Sequence, residues 1–285
     1  MIITLKGADF SANNIGKVVV PRKLNEHTLK AISACGKQLT DEQKFALDDV
    51  FIAMGADGSN EVLYKTRRLY LPMIAGNLSK ALINYADVNM VNDKENLNSS
   101  NWAIFNNGLQ HIQSGDDAIV TLDDNLTNEN CSFYWLRTTP VNSDMNNHNI
   151  MAIRADTSSN WLGVMHATNS IKTQSNPGSL GWAWATASNP LAYNSYDLPS
   201  DVVKTQMVNI DGENYQFRNI QKDYIGGCPT INTSINNADS QRLYVLSTNI
   251  GSSYGALMVG EYIEDNDLAF RIADSLDTLY AVMKS

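Results

Sequence analysis

Helical spacing of apolar residues is confined to the two ends of the chain. Asn25 can cap a helix that we expect to run from about Glu26 to Cys35 and to end at Gly36. A capping box over Thr40 to Gln43 then starts a second helix. Its apolar residues recur at the i, i+3, i+4, i+7 spacing of one helix face: Leu47, Val50, Phe51 and Met54. The two segments predict an αα-hairpin with one buried face.

The C-terminal stretch repeats the helical pattern. Ile272, Leu276, Leu279 and Met283 share one face of a helix. The acidic run from Asp265 to Asp267 lies where negative charge stabilises a helix N-terminus. We therefore expect a closing helix at the end of the chain.

Between about Asn101 and Glu261 the pattern changes to short β-rich runs separated by Asn, Ser, Gly and Asp. Asp211-Gly212 can supply the backbone angles of a tight hairpin turn. No helical pattern separates the runs, which argues against a parallel α/β sheet. Eight strands at this spacing predict an antiparallel β-sandwich or jelly roll. They are Ile119 to Leu122, Ser132 to Thr138, Ile150 to Arg154, Trp161 to His166, Val202 to Ile210, Tyr215 to Arg218, Arg242 to Ser247 and Gly255 to Tyr262.

Composition narrows the classes of function. A formal charge of −9 and a pI of about 4.9 argue against nucleic-acid binding, which needs clustered cations. No apolar run approaches the roughly 18 to 20 residues of a membrane helix, and no signal-peptide pattern opens the chain. Asparagine supplies about one residue in nine, which favours loops and weakly charged surfaces. Three widely spaced cysteines predict buried free thiols: Cys35, Cys131 and Cys228.

The motifs with catalytic precedent lack their usual context. Ser253, within Gly251 to Gly255, matches G-x-S-x-G, but a strand follows and no histidine lies downstream, so we expect a glycine-rich turn. The four histidines show no zinc-ligand spacing and are interpreted as solvated or hydrogen-bonded side chains: His27, His111, His148 and His166. We expect no enzymatic activity.

Two groups of residues remain as binding candidates. Loop aromatics can stack on sugar rings or can cover a core or subunit interface, and sequence leaves both interpretations open: Trp161, Trp182, Trp184, Tyr193 and Tyr196. Clustered oxygen ligands suit a structural Ca²⁺, although the D-x-[DN]-x-[DN]-G loop is absent: Asp116, Asp117, Asp123, Asp124 and Asn125. No other cofactor is indicated.

The order of segments resembles that of a known class of proteins. The stretch from Ile2 to Gly16, the segment Leu39 to Lys44 and the segment Leu69 to Met73 are similar to virion proteins of tailed phages of gut bacteria, crAss-like phages among them. The strand at Ser132 to Thr138 and the late segment Val259 to Ile263 continue the resemblance through nearly the whole chain. Because these motifs concern packing, the resemblance assigns no catalytic or ligand-binding residue to this chain.

The resemblance implies a concanavalin A-like (laminin G-like) jelly roll in residues 76–285 with its closing C-terminal helix. Residues 1–75 would form an N-terminal attachment and oligomerisation segment. The resemblance further implies a non-enzymatic virion protein with a structural or adhesive role. It would be a subunit of a tail or head fibre, of a tip or of a decoration. Such a subunit would form homotrimers, dock on other virion proteins, bind host surface glycans and be made in the host cytoplasm.

Two alternatives belong to other classes. A glycan-active hydrolase could use carboxylates from separate strands, for instance Glu213 and Glu261. A bacterial surface carbohydrate-binding protein could use the same sandwich, although the N-terminal sequence gives no support for secretion.

Overall fold

The computed structural model describes a large part of the 285 residues. The described residues are 22–113, 118–122, 126, 130–139, 148–155, 161–167, 170–176, 204–211, 214–218, 223–227, 241–246 and 251–285. Within them, no helix combines the length and apolar character needed to cross a bilayer.

Four α-helices occur in this part of the chain: α1 at Glu26–Cys35, α2 at Asp41–Ala53, α3 at Val62–Lys65 and α4 at Asn266–Lys284. The predicted caps are confirmed. The Asn25 side chain accepts a hydrogen bond from the His27 N–H, and Gly36 ends α1 at a φ of 70°. Thr40 and Gln43 form both bonds of the capping box. The N-terminal hairpin and the closing helix are therefore encoded locally.

The described strands form two antiparallel sheets. The strands are β1 Thr66–Tyr70, β2 Trp102–Phe105, β3 Gly108–His111, β4 Ala118–Leu122, β5 Cys131–Arg137, β6 His148–Ala155, β7 Trp161–Ala167, β8 Ser170–Asn176, β9 Gln206–Ile210, β10 Asn214–Arg218, β11 Asp223–Gly227, β12 Gln241–Val245 and β13 Ser253–Gly260. The first sheet holds eight of them in the order β11-β10-β9-β5-β13-β3-β2, with β1 also pairing β13, and the second holds five in the order β4-β12-β6-β7-β8.

The first sheet is covered on both faces, which explains why β5 and β13 are buried at every position. Successive side chains of a strand point to opposite faces. In β5, Phe133 and Trp135 belong to the core between the two sheets, whereas Tyr134 and Leu136 belong to the core under the helices. The fold is thus a β-sandwich with an added helical layer, formed mainly by the packing of α2 on α4.

The predicted mainly β fold, with N-terminal helices and a C-terminal helix, is confirmed. The predicted number of eight strands was wrong, because sequence reasoning missed β1, β2, β3, β8 and β11. The β2–β3 hairpin turns at Asn106 and Asn107, whose φ angles of 50° and 55° suit a tight two-residue turn. Four-residue strands of this kind are too short to show alternation in sequence.

Strand pairing and helix packing connect residues on both sides of residue 75. Strand β1 pairs with β13, and α2 packs on α4. The division into residues 1–75 and 76–285 stays a prediction.

A polar cluster around Arg68 connects the two sheets near one edge of the sandwich. The Arg68 Nε atom lies 2.8 Å from the Asp93 carboxylate, which also accepts a hydrogen bond from the Tyr70 hydroxyl. A second guanidinium nitrogen donates to the Thr121 carbonyl in β4 at 2.8 Å. Burial raises the pKa of Asp93, and the Tyr70 and Arg68 contacts oppose that rise.

Candidate functional site

A groove of about 500 Å³ opens between the start of α1, the α2–α3 connection and the loop after Tyr85. These three parts come from separate stretches of sequence, so the groove is a product of tertiary packing. Its lining residues are Asn25, Glu26, His27, Lys30, Ala56, Leu63, Tyr64, Thr66, Ala86, Asp87, Val88 and Asn89.

Asn25 joins two walls of the groove. Its Oδ1 accepts the His27 N–H at 2.8 Å as the cap of α1, and its Nδ2 donates to the Ala56 carbonyl at 2.8 Å. The Asn25 backbone N–H in turn donates to the buried Asp48 carboxylate at 2.8 Å. Because every one of these groups is satisfied, we expect the α1 side of the groove to be rigid.

His27 forms the contact between α1 and the third wall. Its Nε2 donates to the Tyr85 carbonyl at 2.7 Å, which places the proton on Nε2, and its ring meets Phe51 edge-on at 4.7 Å between centroids. Burial is the main cause that lowers the pKa of His27, and the Tyr85 bond and the charge of Asp87 partly oppose it. The imidazole is therefore neutral at neutral pH.

The third wall is a loop held by hydrogen bonds between its side chains and the backbone. The Asn84 side chain accepts the N–H groups of Leu69 and Ala86, which ties the loop to β1. The Asp87 carboxylate accepts the Asn89 N–H at 2.6 Å, as in an Asx turn. These bonds fix the shape of the loop. The side-chain amide of Asn89 makes no hydrogen bond to any described side chain or backbone group.

Tyr64 is the most exposed large apolar side chain among the described residues, at 79%. It lies on the short helix α3, whose neighbouring residues Val62 and Leu63 are buried and anchor the turn. The Tyr64 ring is therefore accessible to a ligand from the groove side.

Three charged side chains belong to the groove lining: Glu26, Lys30 and Asp87. Lys30 and Glu26 form an i,i+4 ion pair at 3.3 Å, with both side chains well exposed. Asp87 supplies the remaining carboxylate. The groove thus combines an exposed ring, a carboxylate and an amide that can bind a small polar ligand.

The binding residues expected from sequence lie elsewhere or outside the described part. Trp161 begins β7 opposite Arg154, but its side chain is not among those described. The other aromatic candidates lie outside the described residues: Trp182, Trp184, Tyr193 and Tyr196. The same holds for the expected calcium ligands, Asp116, Asp117, Asp123, Asp124 and Asn125. Among the described residues, no group of three or more His, Cys, Asp or Glu could hold a metal ion.

The residues with catalytic precedent have structural partners. Ser253 is buried at the start of β13, where its hydroxyl donates to the Phe105 carbonyl at 2.6 Å. Ser253 therefore belongs to a strand, and the expectation of a glycine-rich turn from Gly251 to Gly255 was wrong for Ser253 to Gly255. Glu261 pairs with Arg67 at 2.5 Å, and Glu213 lies outside the described residues. His111 stacks on Trp102 and bonds the Leu246 carbonyl, so the hydrogen-bonded interpretation is confirmed for His27 and His111.

Cys35 and Cys131 are buried and form no disulfide, as predicted, and Cys228 lies outside the described residues. Burial raises the pKa of Cys35, which keeps the thiol protonated and unreactive at neutral pH.

Comparisons with known proteins assign no family. No protein-family model and no curated protein matches the chain. Among solved structures, the botulinum neurotoxin serotype D binding domain is similar over 74% of this chain and 51% of its own, with 13% identity and a TM-score of 0.43. A Trypanosoma rangeli sialidase in complex with sialic acid is similar over 63% of this chain and 29% of its own, with 11% identity and a TM-score of 0.42.

The chain thus spans about half of the first of these structures and less than a third of the second. Because both identities and both TM-scores are low, neither likeness carries a function to this chain.

Proposed function

We propose that this chain is a non-catalytic adhesion protein that binds carbohydrate in the groove beside Tyr64. The observation that carries the proposal is the 79% exposed Tyr64 ring next to the Asp87 and Asn89 side chains in a groove of about 500 Å³. That volume suits a small ligand such as one or two sugar rings.

The three side chains match the two chemical sides of a sugar. A pyranose presents a face of C–H groups, and an aromatic ring binds such a face through its apolar, electron-rich surface. Its hydroxyl groups donate to a carboxylate such as that of Asp87 and exchange hydrogen bonds with an amide such as that of Asn89. Because the Asx turn fixes the loop, these polar groups are positioned before the ligand arrives.

The proposal extends to the biological setting. The chain would be a virion protein of a tailed phage, displayed on the particle surface as a fibre, tip or decoration subunit. Residues 1–75 would dock on other virion proteins and assemble a homotrimer. Support comes from the order of sequence segments and from the sandwich fold, which provides a stable platform for surface loops.

Glycan-array binding by the full chain tests the carbohydrate proposal. We expect wild type to bind at least one class of glycan, and Tyr64→Ala to weaken that binding at least tenfold. The control variant Phe105→Ala removes another exposed aromatic ring, 49% exposed at the β2–β3 turn and absent from the groove lining. Equal binding by wild type and Tyr64→Ala would overturn the assignment of the groove.

Two further measurements test the setting and the absence of catalysis. Mass spectrometry of purified phage particles is expected to detect the chain, and its absence from particles would overturn the virion role. Incubation with capsular polysaccharide is expected to release no reducing sugar. Release that Glu213→Gln or Glu261→Gln abolishes would replace the adhesion proposal with the hydrolase alternative.

A further inference from the structure

We infer that the groove prefers sugars that carry a protonated amine over the same sugars in N-acetylated form and over acidic sugars. The inference rests on the proposed carbohydrate binding and adds the ligand's charge. It is carried by the balance of charged side chains in the groove lining and by the exposed ring beside them.

The first step is the count of charges in the lining. Three ionised side chains line the groove: Glu26, Lys30 and Asp87. The Lys30 ammonium is already 3.3 Å from the Glu26 carboxylate. Within the described part of the chain, Asp87 has no ion-pair partner. One negative charge is therefore left uncompensated in the groove, and a cation of the ligand can neutralise it.

The second step concerns His27, which also lines the groove. Because burial lowers its pKa, the imidazole adds no positive charge at neutral pH and does not cancel the Asp87 carboxylate. The groups that influence its charge are Lys30 on the same helix and Asp87 on the facing loop. The local excess of negative charge therefore persists at neutral pH.

The third step concerns the Tyr64 ring. The face of an aromatic ring attracts cations through its quadrupole, and an ammonium on a stacked sugar lies within reach of that face. A ligand carboxylate would instead face both the electron-rich ring and the Asp87 carboxylate. The chain's net charge of −9 adds long-range repulsion of acidic polymers at low salt.

The experiment compares three probes with the full chain by isothermal titration calorimetry at low and high salt. They are a glucosamine oligomer, its fully N-acetylated form and an oligomer of a uronic acid of equal length. We expect the amine form to bind about threefold to tenfold more tightly than the N-acetylated form, as for a partly exposed charge contact. The advantage should shrink in high salt.

Asp87→Asn is the decisive variant, because the amide oxygen can still accept the Asn89 N–H while the charge is lost. It should weaken binding of both oligomers, because the carboxylate acceptor is lost, and bring the ratio of their dissociation constants to about one, which removes the preference for the amine. Glu95→Gln is the control, an exposed carboxylate in the same connection but outside the groove lining. It should keep the preference.

Failure of the inference and failure of the proposed function are distinguishable. If the N-acetylated oligomer binds as tightly as the amine form, or if Asp87→Asn keeps the preference, the charge inference is wrong while Tyr64-dependent sugar binding stands. A preference for the uronic acid oligomer also overturns it. If none of the probes binds and the glycan array is empty, the carbohydrate proposal itself falls.

Discussion

Replacement of Asp48 by alanine is expected to destabilise the start of α1, and with it one wall of the groove. The Asp48 side chain is 1% exposed and accepts three hydrogen bonds. The donors are the Asn25 backbone N–H at 2.8 Å, the Thr28 hydroxyl at 2.7 Å and Arg22 at 2.7 Å. This carboxylate is therefore the common acceptor that fixes the segment before α1 to α2.

The size of the effect follows from what each donor loses. The Asn25 N–H and the Thr28 hydroxyl would each lose a charged acceptor away from water, which costs about 1 to 3 kcal/mol per group. Arg22 is 37% exposed and keeps its contact with Asp49 at 2.5 Å, so its share is small. We expect Asp48→Ala to lower the free energy of unfolding by about 3 to 5 kcal/mol.

Urea unfolding followed by tryptophan fluorescence and circular dichroism measures this change. Asp49→Ala is the matched control, because it removes the adjacent carboxylate, 53% exposed, from the same Arg22 pair. Its cost is expected to be about 0 to 1 kcal/mol. Asp48→Asn retains an acceptor oxygen and should fall between the two. Equal losses for Asp48→Ala and Asp49→Ala would refute the argument that buried acceptor bonds, rather than surface charge, stabilise the start of α1.

Two further predictions concern pH and backbone conformation. Because burial lowers the pKa of His27 from 6.5, the native state binds fewer protons than the unfolded state, so stability should fall as pH drops below about 6.5. His27→Gln should flatten that dependence in urea titrations at pH 7.5 and 5.5, and an unchanged slope would contradict the assignment. Gly55→Ala should cost at least about 2 kcal/mol, because φ is 92° and a Cβ would collide with the Asn60 carbonyl. Gly58→Ala has φ of 83° but open space, so thermal unfolding should show a smaller loss, and equal losses would contradict the steric argument.

Elements encoded by neighbouring residues could be predicted from the sequence. The capping contacts of Asn25 and of Thr40 with Gln43 span three residues or fewer, and α1 and α2 begin where those contacts indicated. Strand β1 could not be predicted in this way. Its residues Arg67 and Arg68 interrupt the apolar alternation, and it exists because β13, almost two hundred residues later, supplies the paired backbone.

The candidate groove was missed for a related reason. Sequence reasoning favoured aromatic residues within long polar loops. Tyr64 instead follows the buried residues Val62 and Leu63 and precedes strand β1, so its sequence context resembles that of a core position. Tyr64 is exposed because the single turn of α3 directs Val62 and Leu63 into the core and the Tyr64 side chain away from it. The one usable signal was Asp87-Val88-Asn89, a turn-forming triplet that presents polar side chains beside an exposed apolar residue.

The Arg68 contact with Thr121 has a consequence for how copies of this chain meet. Strand β4 is the last described strand of the second sheet, and the outer side of such a strand offers backbone acceptors to any incoming extended segment. The guanidinium already occupies one of those acceptors. A neighbouring molecule would have to displace the half-buried Arg68 guanidinium, which also pairs with Asp93, before it could extend the sheet. Polymerisation through this edge is therefore disfavoured even when many copies are crowded together.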